Sequence, residues 1–72
     1  MGERAMDISE TIHKAEAWMD EIEGVVGVAQ GERDGETVVE VFVRDKAAGK
    51  RLPRELDGYP VVPVVSGEFT TY

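Results

Sequence analysis

Alternating apolar and polar positions over residues 37–43 predict a β-strand that organises the rest of the chain. The stretch is filled by β-branched and aromatic residues and contains neither Gly nor Pro. Successive side chains of a strand point to opposite faces, so Val39, Val41 and Val43 form one wholly apolar side that must lie on a core. The opposite side is half apolar and half charged. It carries Val38, Glu40, Phe42 and Arg44.

A helix is predicted before this strand, because apolar residues recur there at intervals of three and four. The stripe consists of Ile8, Ile12, Ala15, Met19 and Ile22. Asp7 has the character of an N-cap, and Gly24 stands where a helix commonly ends, so the pattern predicts one continuous helix of about sixteen residues.

Residues 25–29 predict a short strand, and Asp34-Gly35 predicts the hairpin turn that joins it to the strand over 37–43. The two strands should therefore pair antiparallel. In the second half, residues 46–51 indicate a loop. Residues 52–56 indicate one helical turn, ended by Asp57-Gly58. The last predicted strand covers residues 59–65, and Pro63 within it favours a sheet edge.

The predicted order is α-β-β-(short α)-β. We expect an α+β two-layer sandwich, with one long helix on one face of a three-stranded sheet. The connection before the last strand is long enough to bring it in parallel, which places residues 38–43 in the centre. An all-antiparallel sheet centred on residues 25–29 is the alternative. We expect a single domain over 1–72, with residues 1–6 and 69–72 flexible.

Composition narrows the classes of function. The chain has no Cys, which excludes disulfides, thiolate metal sites and cysteine nucleophiles. Its net charge of −7 disfavours nucleic acid and anionic membranes as partners. The amino-terminal residues lack the apolar segment of a signal peptide, and no apolar run is long enough for a membrane span. We expect a soluble cytoplasmic protein without a cofactor.

Several short segments resemble a small uncharacterised prokaryotic αββαβ domain. They are residues 24–28, Asp34-Gly35, residues 38–43, Leu52-Pro53, residues 56–61 and Ser66-Gly67. A similar segment precedes the protease-like region in some trypsin-like serine protease relatives. The resemblance covers roughly residues 20–68 and consists mainly of Gly, Pro and Val, which specify turns and strands. It implies a fold and no assigned reaction. An accessory domain of a serine hydrolase, or a remnant related to one, is the function it allows.

Two groups of residues have the chemistry of a site. His13, Glu16 and Asp20 lie at i, i+3 and i+7 of the predicted helix, a spacing that could hold a divalent ion, although a solvated face is the favoured interpretation. Ser66, His13 and Asp57 are the residue types of a hydrolytic triad, but no nucleophile elbow or oxyanion loop accompanies them. We therefore assign no catalytic, cofactor-binding or metal residues.

The stretch 44–54 carries a basic run. It consists of Arg44, Lys46, Lys50, Arg51 and Arg54, five of the eight basic residues of the chain. A solvated loop is the favoured interpretation. An anion site or a nucleic-acid contact is the alternative.

The predicted function follows from the two sides of the strand over 37–43. One long helix can cover only one side of a sheet, so the other side is left for a partner. We expect a non-catalytic protein-interaction or self-association module, as a homodimer or with another protein. The candidate interface residues are Val38, Glu40, Phe42, Arg44 and Trp18. Trp18 lies at the flank of the helical stripe, as a residue of the core edge or as an interface anchor.

Overall fold

A computed structural model describes residues 7–65 of the chain. The predictions of flexibility for residues 1–6 and 69–72 lie outside the described residues. The elements in chain order are α1 (Ile8–Ala15), α2 (Trp18–Glu21), β1 (Val25–Arg33), β2 (Glu36–Val43), α3 (Lys46–Gly49), β3 (Glu55–Leu56) and β4 (Tyr59–Val65). Helices and a mixed sheet together confirm the α+β class.

The strands form one sheet in the order β1-β2-β4-β3. β1 pairs antiparallel with β2 through the hairpin turn at Asp34-Gly35, as predicted. β4 runs parallel to β2, with Val39 opposite Val61 and Val43 opposite Val65. The strand predicted to be central is therefore central, and the all-antiparallel alternative is wrong. The parallel pairing is available because the chain between β2 and β4 is long enough to cross from one end of the sheet to the other.

The sheet has four strands where three were predicted, because residues 55–56 form the short strand β3 instead of part of a helical turn. Asp57-Gly58 joins β3 to β4 as a two-residue turn, with Glu55 opposite Pro60. Both turn residues have positive φ, 55° and 84°. Asp34-Gly35 has nearly the same values, 55° and 78°. Positive φ at both positions is the type I′ geometry, so each Asp-Gly pair makes a hairpin.

The single predicted helix is two helices, because the chain tightens between α1 and α2. Three i to i−3 hydrogen bonds lie around this point, with the amides of Ala17, Met19 and Asp20 donating at 3.0–3.2 Å. Such bonds wind the chain faster than an α-helix does. The tighter winding turns Trp18 onto the core and leaves Met19 43% exposed, so the prediction of Met19 in the buried stripe is wrong.

A third helix, α3, occupies part of the predicted loop. Its N-cap is Asp45, whose Oδ1 accepts the Ala48 amide at 3.0 Å. Such a bond satisfies one of the unpaired amides at a helix start. The α3 helix packs Ala48 into the core next to the sheet.

The core lies between the helices and one face of the sheet. Its buried members are Ala15, Val25, Val39, Val41, Val43, Ala48, Tyr59 and Val61. Ile8, Ile12, Trp18 and Ile22 pack against them from the helices. The wholly apolar side of β2 is thus buried as predicted. Within residues 7–65, no helix has the length and apolar character needed to cross a membrane.

Pro63 occupies an outward-facing position of β4. The amide of Val61 donates to the carbonyl of Arg54 at 2.9 Å, on the side of β4 away from β2. Amides alternate in direction along a strand, so the nitrogen of Pro63, two residues later, faces outward too. Since proline has no amide proton, Pro63 removes a donor only from the outer side of β4, beyond the two residues that β3 pairs with. The prediction that this strand lies at the sheet edge is wrong over Tyr59 and Pro60, where β3 is the outer strand.

Candidate functional site: the open face of the sheet

One face of the sheet has no described helix packed on it. We call this surface the open face. Its residues come from three strands. They are Gly27, Ala29 and Gly31 of β1, Val38, Glu40 and Phe42 of β2, and Val62 and Val64 of β4. They share one side because paired residues of neighbouring strands project in the same direction. Most of them are half-buried.

Small residues on β1 let the longer side chains of β2 lean sideways across the sheet. A Cβ built on Gly27 would lie 3.4 Å from Cδ2 of Phe42, so the ring packs closely over this glycine. A Cβ built on Gly31 would overlap the carboxylate of Glu40. The open face is consequently smooth on its β1 side, with an aromatic ring and a carboxylate lying along it.

The charge on this face is partly balanced. Nη2 of Arg33 lies 3.9 Å from Oε2 of Glu40, with Arg33 largely exposed. Exposed pairs at this separation stabilise a fold by at most about 1 kcal/mol. The pair therefore orients the Glu40 side chain over Gly31 but adds little to the stability of the fold. The apolar part of the open face consists of Phe42, Val62 and Val64.

Val38 differs from its neighbours on the open face. It is only 2% exposed, although Gly31, which has no side chain, stands opposite it. Val38 does not belong to the core cluster, whose members lie on the other face. Of the predicted interface residues on this face, Val38 is therefore buried, while Phe42 and Glu40 keep part of their surface.

The remaining two predicted interface residues lie elsewhere. Trp18 is half-buried against the core on the helix side of the sheet, which agrees with the interpretation of a core-edge residue. Arg44 follows the end of β2, where its amide donates to the carbonyl of Gly24 at 2.7 Å. The structure thus groups Val38, Glu40 and Phe42 and separates Trp18 from them.

The basic run does not form one cluster. Arg44 and Arg51 line a cavity of about 210 Å³ beside the start of α3, together with the acidic residues Glu23 and Asp45. Lys46 and Lys50 line a different cavity, of about 240 Å³, and Arg54 lines neither. The five predicted anion-site residues are therefore divided among three places.

The residue types of a hydrolytic triad are not assembled among the described residues. Asp57 bonds to Lys14 and Thr11 instead of His13. The ring of His13 is exposed, and its Nδ1 lies 3.6 Å from Oε1 of Glu16. Ser66 lies outside the described residues. Within residues 7–65, no group of three or more His, Asp or Glu side chains is placed to hold a metal ion.

The sequence analysis missed the contact among Thr11, Lys14 and Asp57. The Lys14 ammonium lies 2.9 Å from both carboxylate oxygens of Asp57, and the Thr11 hydroxyl donates to Oδ2 at 2.9 Å. The Lys14 bond, followed by the Thr11 bond, lowers the pKa of Asp57, while partial desolvation opposes them. The sequence did contain a signal for this contact. Thr11 stands three residues after Ile8, which places a polar side chain on the apolar stripe of the helix, where it needs a hydrogen-bond partner. The contact anchors the β3–β4 turn to α1. Its carboxylate and ammonium groups are bonded to each other, so we assign it no catalytic role.

Comparison with known proteins adds no family to this picture. No protein-family model, curated protein or solved structure matches the chain. The resemblance to a small prokaryotic αββαβ domain remains a prediction, and so does the link to serine protease relatives.

Proposed function

We propose that this domain is a non-catalytic protein-interaction module that uses the open face to bind another protein, including a second copy of itself. The observation that carries the proposal is the apolar group of Phe42, Val62 and Val64 on a sheet face that no described helix covers. A sheet face with apolar side chains is favourable to bury, and a second protein is one means of burying it.

The size of the face sets the expected strength of binding. Three strands about 4.8 Å apart, over five residues of about 3.3 Å each, give a face of roughly 250 Å². A stable protein interface buries about 800 Å² on each partner. The open face alone is therefore suited to a weak and reversible association, with dissociation constants of tens of micromolar or more.

Light scattering on a sizing column over a range of protein concentrations tests self-association. We expect a monomer that shifts toward a dimer as the concentration rises through tens of micromolar. Phe42→Ser should shift the equilibrium back to the monomer, because it removes the largest apolar group of the face. Met19→Ser is the matched control, since Met19 is 43% exposed but lies on α2, on the other side of the sheet. A particle that stays monomeric into the hundreds of micromolar contradicts self-association by the intact chain.

A second candidate function is the binding of a small anion by Arg44 and Arg51. The observation in its favour is that both side chains line one cavity. Two carboxylates also line the cavity. The Asp45 carboxylate accepts a hydrogen bond from the Ala48 amide, and the negative charge of Glu23 weakens the attraction for an anion. The Ala48 amide lies in the cavity wall and so reports on an anion bound there. Titration with inorganic phosphate at low salt should then shift the NMR signal of the Ala48 amide.

Arg51→Gln should abolish the phosphate shift, and Arg54→Gln is the matched control, because Arg54 belongs to the same basic run but lies outside the cavity. Equal shifts in both variants would mean non-specific attraction to the run. The effect should weaken as salt is added, since the contact is electrostatic.

A further inference from the structure

We infer that a second copy of this chain pairs antiparallel with the outer edge of β1, with Gln30 on the two-fold axis, so that the two sheets join into one. The pairing names the partner and the geometry of the self-association in the proposed function, on which it rests. It is carried by the free backbone groups of β1 and by the charges along this strand.

The outer edge of β1 presents backbone groups that point away from the sheet. A tight turn joins its first and fourth residues by a hydrogen bond, which makes Arg33 and Glu36 a bonded pair. Bonded and non-bonded pairs alternate along an antiparallel ladder, so every second residue of β1 faces outward. We call these the outward residues: Val28, Gln30 and Glu32. β1 is the outermost strand, and within residues 7–65 none of their amides or carbonyls has a backbone partner.

The two edges of the sheet differ in their protection against another strand. On the far side, β3 pairs with Tyr59 and Pro60 of β4, and Pro63 removes a donor beyond them. β1 is nine residues long and contains neither Pro nor Lys, which commonly block pairing at an exposed edge. Its bulge lies at Val26, before the outward residues begin. The edge of β1 is therefore able to accept another strand.

The outward residues are arranged symmetrically about Gln30, which favours a second copy as the occupant. When two β1 strands lie antiparallel with their Gln30 residues opposite each other, Val28 of each copy lies opposite Glu32 of the other. Every outward donor then meets an outward acceptor. A shift of the register by two residues leaves some of these groups unpaired. A contact of this kind uses the same surface on both copies and closes as a dimer.

The charges of β1 allow two acidic copies to approach here. The chain has a net charge of −7, whereas β1 contains one acidic residue, Glu32, and one basic residue, Arg33. In the symmetric register Glu32 lies opposite Val28, and Arg33 lies opposite Gly27. No two like charges are therefore directly opposite each other, an arrangement that would destabilise the pairing.

Phe42 adds a contact on the open face. Its Cδ2 lies 3.4 Å from the position of a Cβ on Gly27, so the ring covers this glycine. Arg33 of the second copy lies opposite Gly27, and its guanidinium is attracted to the neighbouring ring. The two-fold axis is perpendicular to the sheet, so the open faces of both copies lie on the same side. They form one surface of roughly 500 Å².

Amide hydrogen exchange, followed by NMR over a dilution series of the intact chain, tests the pairing. The amides of the outward residues should exchange at least about tenfold more slowly in the associated protein than in the monomer. The Ala29 and Gly31 amides are the matched controls, because they point toward β2 and should stay protected at every concentration. The alternation distinguishes pairing at the edge from burial of the open face, which leaves the outward amides exposed.

A mixed sample of labelled and unlabelled chains tests the register. Ala29 of one copy and Gly31 of the other form a non-bonded pair, with Cα atoms about 4.5 Å apart. Their Hα protons should therefore give an Overhauser contact between copies. Within one chain the two residues are roughly 7 Å apart along β1, so the contact does not arise there.

Gln30→Lys tests the two-fold axis. Gln30 is exposed, and Lys is well tolerated at a sheet edge, so the variant should fold. Two ammonium groups then lie opposite each other, and the dissociation constant from light scattering should rise at least about tenfold. Ser9→Lys is the matched control, because it makes the same change of charge at an exposed position of α1. It should not weaken association.

Four outcomes overturn the inference. They are a chain that stays monomeric into the hundreds of micromolar, outward amides that stay unprotected in the associated protein, outward amides that are equally protected at every dilution, and equal dissociation constants for the two Lys variants. The exchange and Overhauser measurements use the unmutated chain, so they decide the question even if Gln30→Lys fails to fold.

Phe42→Ser separates the pairing from the proposed function. If the outward amides become protected on association but Phe42→Ser associates as strongly as the intact chain, pairing at the edge stands and self-association through the open face is refuted. If Phe42→Ser dissociates the particle and the outward amides of the intact chain stay unprotected, the open face carries the association and pairing at the edge is refuted.

Discussion

Thr11 and Asp57 are 46 residues apart in the sequence and meet through one hydrogen bond of 2.9 Å, from the Thr11 hydroxyl to Oδ2 of Asp57. Thr11 is fully buried on α1, and Asp57 occupies a left-handed position of the β3–β4 turn. Lys14, one turn further along the helix, completes the contact as an ion pair. This contact fixes the helix relative to the short hairpin at the far side of the sheet.

Replacing Thr11 tests that contact. Thr11→Val keeps the shape of the side chain but removes the donor, so the Asp57 carboxylate loses the Thr11 hydrogen bond and keeps the bond to Lys14. We expect lower stability in urea and a pKa of Asp57 closer to its ordinary value. Ser9→Ala is the control, because Ser9 is exposed on the same helix. Equal urea midpoints for the two variants would show that the bond adds nothing to stability.

The lowered pKa of Asp57 predicts a pH dependence of stability with a definite sign. The folded-state pKa lies below the ordinary value of 3.8, so the stability contributed by Asp57 is present above about that pH and is lost as the pH falls through the folded-state pKa. The advantage of the unmodified chain over Asp57→Asn should therefore shrink in acid.

Asp34→Asn is the matched control for the acid experiment, because Asp34 holds the same position in the other Asp-Gly turn. Asparagine suits a type I′ turn as well as aspartate does, so neither substitution disturbs the backbone. Urea unfolding across the acid range measures both differences. An advantage over Asp57→Asn that stays constant into acid would contradict the assignment.

Two glycines with positive φ allow a comparison between backbone strain and steric overlap. Gly35→Ala should cost about 1–2 kcal/mol, the cost of a left-handed conformation, because nothing lies within 4 Å of the added Cβ. Gly24→Ala should cost more, since its Cβ would stand 2.5 Å from Cβ of Ala48. Thermal or urea unfolding of the two variants gives both values. A smaller loss at Gly24 would mean that α3 moves away freely.

Burial ranks the valines of the sheet. Val41→Ala should destabilise the domain by about 2 kcal/mol, the transfer free energy of the lost methyl groups together with a small cavity. Val26→Ala should change stability by less than about 0.5 kcal/mol, because Val26 is 52% exposed. Chemical denaturation measures both, and similar losses would contradict the division of the strands into core and surface positions.

The direction of the amides in β4 predicts opposite results for neighbouring positions. Val62→Pro should disrupt the fold, because the amide of Val62 points toward β2 and contributes to the parallel ladder. Pro63→Val should leave the fold intact while restoring an outward donor on the exposed edge, which favours edge-to-edge aggregation. Circular dichroism and turbidity distinguish the two. A folded Val62→Pro variant would contradict the parallel pairing.

Local chemistry was enough to predict the centre of this fold. The alternation over residues 37–43 identified the central strand and its buried side, and Asp34-Gly35 identified the first hairpin. Asp57-Gly58 carried the same turn signal and was interpreted as a helix end, because the strand before it, β3, has only two residues. A strand that short has no periodicity to detect.

The sequence by itself determined which residues of β2 face the core and which do not, because side-chain alternation is a property of the extended backbone. The tertiary structure decided what each residue meets. It brought Trp18 onto the core in place of Met19 through a tightened turn, and it joined Thr11 to Asp57 across the sheet. It also buried Val38 on the face that the sequence left open. These outcomes depend on contacts between distant segments, and neither periodicity nor turn chemistry contains that information.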